Sequence, residues 1–127
     1  MSRGEQLLRD EDILSHLKFI RTKKQEYVLC LSVDSGGRLI ARRVVTIGTL
    51  TSSLIHPREI FAGPIKDRAA CVILAHNHPS GEAAPSGADI DSTQQVVAAG
   101  IILGIRLRDH LIVARDNYFS FKEAQLL

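Results

Sequence analysis

His76 and His78 flank Asn77 where a continuously apolar run, residues 70–75 (ACVILA), gives out, and Asp89 follows eleven residues beyond His78. Residues two apart on an extended backbone project to the same side, so the two imidazoles can face one point. Pro79, Gly81, Pro85 and Gly87 punctuate the intervening segment, and a loop so built can fold Asp89 back toward the histidines. Two neutral nitrogens with one carboxylate suit zinc, and three protein ligands leave a fourth position for water. Zinc brings the pKa of such a water to about 7 and polarises a carbonyl oxygen. His76, His78 and Asp89 are therefore candidate ligands of Zn2+ in a hydrolytic site, which still needs a general base.

Each piece alone has a plainer reading. A His-x-His pair arises by chance, and Ser86 with Asp89 forms a Ser-x-x-Asp helix-capping pattern. Together they are harder to dismiss, because two histidines and an aspartate beside an apolar strand end gain nothing from packing, whereas one cation satisfies all three. The zinc deaminase pattern is missing, with no Glu beside these histidines and no cysteine pair downstream. The adjacent letters H-N-H do not supply the dispersed residues with which a metal-dependent nuclease grips a phosphate. A structural zinc is usually closed by four protein ligands, often including cysteine, and only three are evident.

Periodicity shows which elements must position these groups. An acidic start, Asp10-Glu11-Asp12, ahead of Ile13, Leu17 and Ile20 predicts a helix over residues 10–22. Residues 27–33 and 38–47, joined by Asp34-Ser35-Gly36-Gly37, read as a β-hairpin. Pro57 opens a helix over 56–67 that turns Ile60 and Phe61 to the core, and Pro64 predicts a distortion at Gly63-Pro64. The run 70–75 has the character of a central strand covered on both faces. A helix over 89–99 closed by Gly100, then strands near 105–108, 111–114 and 118–121, complete the order. The expected class is α/β, a mixed β-sheet flanked by helices.

A length of 127 residues is that of one domain with a single core. Hydrophobic residues make up 45% and charged ones 24%, which excludes a disordered or fibrous chain, and with no Trp the core must rest on aliphatics. A formal charge of +2 is too small to act as an electrostatic footprint for nucleic acid. The densest basic run, Arg21, Lys23 and Lys24, can simply complement the carboxyl end of the first helix. Cys30 and Cys71 stand apart inside apolar runs and read as buried, reduced thiols. The amino-terminal residues are polar and acidic, and no apolar stretch approaches the roughly 20 residues of a spanning helix. A cytoplasmic protein without a membrane partner is expected.

Residues 76–89, HNHPSGEAAPSGAD, resemble the signature of the JAMM (MPN-type) metallopeptidases: His-x-His-Pro, six residues, Ser, two residues, Asp. The fuller wording HNHPSG, with Gly48-Thr49, His56-Pro57-Arg58-Glu59 and Asp109-His110, resembles the RadC family (UPF0758) in particular, over residues 26–121. The resemblance implies a JAMM/MPN (cytidine deaminase-like) fold, zinc on His76, His78 and Asp89, and an oxyanion-stabilising role for Ser86. It also implies a general acid and base from an earlier strand, for which Glu26 fits best and Glu59 is the competitor. Glu26 can instead be an exposed strand-start charge, Glu59 suits a first helical turn electrostatically, His56 can cap or support its loop, and His110 can orient a ligand. The implied substrate is a peptide or isopeptide-linked protein. Full-length members of the family carry an amino-terminal helix-hairpin-helix region, so residues 1–127 read as one domain, either the carboxyl-terminal part of a longer protein, with nucleic-acid association through the other part, or a naturally short form. The alternative function is a non-catalytic, metal-stabilised binding module in DNA repair or recombination.

Overall fold

The computed structural model describes residues 4–48 and 56–127, and Thr49 of the Gly48-Thr49 pair lies outside them. The elements are α1 (Asp10–Leu14), a 3-10 turn (Lys18–Ile20), β1 (Glu26–Val33), β2 (Leu39–Gly48), α2 (Pro57–Asp67), β3 (Cys71–Asn77), α3 (Gly87–Leu103), β4 (Arg106–Val113) and β5 (Tyr118–Ser120). The strands form one sheet in the order β2-β1-β3-β4-β5. Only β3 and β4 run parallel, as the crossover through α3 requires, and the other neighbours are antiparallel. All seven residues of β3 are buried, as its unbroken apolar run demands of a central strand.

Side-chain alternation splits the core. Leu29, Leu31, Ile73 and Ala75 pack on one face of the sheet against Ile13, Leu17 and Ile20. Val28, Cys30, Val72 and Leu74 pack on the other against Ile60 and Phe61 of α2 and Val96 of α3. His76 shares the strand parity of Val72 and Leu74 and so projects to the face that α3 covers. Among the described residues no helix is long and apolar enough to cross a membrane.

Three expectations are corrected. The predicted helix over 10–22 is a five-residue helix followed by a 3-10 turn, with Leu17 N–H donating to Leu14 and Ile20 N–H to Leu17. Three-residue spacing keeps Leu17 and Ile20 on one side in either geometry, so the apolar pattern could not separate them. Helix α2 runs as one element through Pro64 to Asp67, and Pro64, having no N–H, cannot donate to the Ile60 carbonyl within it. A Cβ at Gly63 would lie 2.6 Å from Arg43 Nη1.

Helix α3 likewise runs past Gly100 to Leu103 and closes on Gly104 at φ 71°. Gly100 serves close packing instead, since a Cβ there would stand 2.4 Å from the Ile105 carbonyl oxygen. The two strands expected near 105–108 and 111–114 are the single strand β4, whose register against β3 slips one residue at Arg108. A one-residue slip exchanges the faces of everything beyond it. It places His110 beside Leu74, on the face of His76, where an unbroken ladder would have turned it away.

Candidate metal centre

Strand β3 brings buried His76 to the end of the sheet, and His78 stands just beyond it, its N–H donating to the Val113 carbonyl at 2.9 Å. Asp89 occupies the third position of α3. Its position is fixed by a reciprocal capping box: Ser86 Oγ accepts from the Asp89 N–H at 3.0 Å, and Asp89 Oδ2 accepts from the Ser86 N–H at 2.9 Å. The carboxylate oxygens lie 3.5 Å from His76 Nε2 and 3.3 Å from His78 Nε2, and one donor atom from each residue falls within 4.8 Å of the others.

Hydrogen-bond partners define which nitrogens carry protons. Thr93 Oγ donates to the Asp89 carbonyl at 2.7 Å, so its oxygen is left to accept from His110 Nδ1, also at 2.7 Å. His110 is fully buried, which holds its pKa well below that of a free histidine and keeps it neutral. Its Nε2 therefore accepts, and His76 Nδ1 donates to it at 2.8 Å. His78 Nδ1 donates to the Glu82 carbonyl at 2.8 Å. Both Nε2 lone pairs are thus left facing each other at 3.0 Å beside an anionic carboxylate. Such a cluster could be satisfied by a metal ion held on all three residues.

Without a metal, a proton on either Nε2 competes for the same carboxylate: burial opposes ionisation of Asp89, but hydrogen bonds from protonated His76 and His78 and from the Ser86 amide outweigh it and hold the carboxyl far below its ordinary range. The His78 imidazole is pushed up, first by its hydrogen bond to Asp89, with the carboxylate of Glu26 adding to the effect. Glu26 opens β1 two residues before Val28, which pairs with His76 at the last rung of the β1–β3 ladder. Glu59 sits apart on the exposed first turn of α2, 3.9 Å from Arg58, and His56 caps that helix by accepting the Arg58 N–H.

Asn77 and Thr93 escaped the sequence reading. Asn77 Oδ1 accepts the Tyr27 N–H at 2.6 Å and its Nδ2 donates to the Gln25 carbonyl at 3.0 Å, so one buried amide grips the backbone on both sides of Glu26. Thr93 had a local signal, lying four residues past Asp89 and hence on the same side of α3. Asn77→Ala leaves the Tyr27 N–H and the Gln25 carbonyl without this partner. It is expected to cost roughly 1–3 kcal/mol in urea unfolding, more than a typical surface substitution. A loss within 0.5 kcal/mol on the same scale would show that water replaces the amide.

Fold and site together define a JAB-type (JAMM/MPN) domain, a mixed α/β sheet whose His76, His78 and Asp89 could hold a metal ion. A family model described as RadC-like JAB domain matches residues 8–126, and the chain belongs to the RadC family. It is 40% identical over 126 residues to a UPF0758 protein of Protochlamydia amoebophila, covering 99% of this chain and 51% of that one. Identity is 42% over 118 residues with a UPF0758 protein of Chlorobaculum parvum, covering 92% and 53%. A UPF0758 protein of Pelobacter propionicus is 44% identical over 108 residues, covering 85% and 47%. The chain spans about half the length of the curated relatives it matches.

Proposed function

We propose that the protein is a zinc-dependent hydrolase of peptide or isopeptide bonds, forming the carboxyl-terminal domain of a longer RadC-like protein. The observation that carries this reading is the convergence of two histidine Nε2 atoms and one carboxylate on a single point, with Glu26 at the start of the neighbouring strand β1. His76, His78 and Asp89 would hold the ion, whose chemistry when bound is Lewis acidity toward a carbonyl and toward water. Glu26 takes the proton of the attacking water and returns it to the leaving amine, a role its tethered strand start supports. Ser86 spends one lone pair on the Asp89 amide, which leaves its hydroxyl proton free to donate to the developing oxyanion.

The test is Glu26→Gln, assayed beside the parent on a panel of peptides and isopeptide-linked proteins. The variant is expected to retain its zinc and to lose about 10²–10⁴-fold in rate, the usual contribution of a general acid or base. Full activity in the variant removes Glu26 from the mechanism. A parent that holds zinc but cleaves nothing in the panel leaves the binding-module reading in its place.

A further inference from the structure

Three loops meet beside His78 and enclose a cleft of about 500 Å³. The segment entering β1 contributes Arg21, Lys23 and Lys24, the β4–β5 turn contributes Arg115 and Asp116, and the loop after His78 forms the third wall. Four cations thus share the cleft with one carboxylate, although the whole chain carries only +2. Lys23, Lys24 and Arg115 are exposed. Arg21 is the C-cap of the 3-10 turn Lys18–Ile20, and Lys23 and Lys24 follow it outside any helix.

The walls are tied to one another and to the metal-site motif. Arg21 donates through Nε to the Ala114 carbonyl at 2.8 Å and through Nη2 to the Asn117 carbonyl at 3.1 Å, which pins the β4–β5 turn through neutral acceptors. Asn117 Nδ2 donates to the Gly81 carbonyl at 3.3 Å, joining that turn to the loop after His78. Asn77, between the two histidines, holds the backbone of the segment bearing Lys23 and Lys24 through the Gln25 carbonyl. Cationic groups held in a preformed concavity attract an anionic ligand at less ordering cost than charges on free loops.

We propose that this cleft is a subsite for an acidic stretch of the polypeptide substrate, a few residues from the bond presented to the metal site. The proposal rests on the hydrolase reading for its biological meaning. Polypeptide is favoured over nucleic acid by form: the charge is confined to one short concavity edged by Asp116, whereas a phosphate backbone is followed by an extended basic track.

Glu26→Gln protein loaded with zinc provides a background in which binding can be measured without turnover. Fluorescence anisotropy with a labelled ten-residue oligoglutamate peptide is expected to show saturable binding that weakens with salt, while the matching oligoglutamine peptide binds at least tenfold more weakly. Adding Lys24→Glu and Arg115→Glu is expected to weaken oligoglutamate binding by about tenfold, two attractive pairs having become repulsive, with zinc content unchanged. Equal binding of the two peptides, or no effect of the charge reversals, overturns the proposal. So does tighter binding of a single-stranded oligonucleotide of equal charge, which assigns the cleft to phosphates. Charge-dependent peptide binding in a protein that hydrolyses nothing rejects the hydrolase reading alone. Hydrolysis indifferent to acidic sequence rejects the subsite alone.

Discussion

Asp89→Ala is expected to strip the protein of bound metal, from about one ion per chain to background after dialysis, because it removes the single carboxylate among three ligands. The substitution also breaks half of the capping box, since Asp89 Oδ2 accepts the Ser86 N–H, so some stability, about 1 kcal/mol, goes with it for a separate reason. Asp89→Asn separates the two effects. It keeps an oxygen for the Ser86 amide but offers the ion no charge, so the helix start survives while the metal is still lost. Thermal unfolding with and without a chelator reads the same difference: at a free metal concentration of about 100 times Kd the parent gains about 2.7 kcal/mol, and neither variant does. Metal at full occupancy in the alanine variant would remove Asp89 from the site.

Acid should release the ion in a defined order. A proton competes with metal for His78 Nε2, and in the metal-free chain that imidazole is pushed above 6.5 by its hydrogen bond to Asp89. Affinity therefore begins to fall as pH drops through a value above that of a free histidine. Asp89 is shifted down and stays ionised across this range, so its protonation is not the releasing step.

The convergence of the three candidate ligands was legible because their spacing is local. Two histidines on one strand and a capping aspartate at the next helix need only the pleat and the helix start to converge, and both leave marks in fewer than twenty residues. The sheet with flanking helices was legible for a similar reason, since its apolar runs and turn residues alternate clearly. What surrounds the ligands was not legible. His110 reaches His76 only because β4 slips by one residue at Arg108, and alternation around Asp109-His110 looks the same in either register. Gly100 and Gly104 are equally good helix terminators by type, and the choice was made by how closely the chain returning through Ile105 passes α3.

The relay behind His76 gives Thr93 an effect disproportionate to its distance from the ion. Its hydroxyl donates to the Asp89 carbonyl, so it can only accept from His110 Nδ1, and that choice passes through His110 to leave His76 Nε2 unprotonated. Valine at 93 keeps much the same shape without the hydroxyl and leaves His110 two ways to respond. If it keeps its proton on Nδ1, a buried N–H stands unpaired at a cost of roughly 1–3 kcal/mol. If it moves the proton to Nε2, it faces the Nδ1 proton of His76, which must shift to Nε2 and block the ligand position. Thr93→Val is accordingly expected to weaken metal binding by about 10- to 100-fold, as loss of a group that orients a ligand usually does. Nitrogen NMR of the metal-free protein should report the tautomer change at His110 and His76, and Thr93→Ser should restore both tautomers and affinity because a hydroxyl again stands at that position. Unchanged affinity and unchanged tautomers in the valine variant would mean that His76 presents Nε2 for some reason other than the hydrogen bonds behind it.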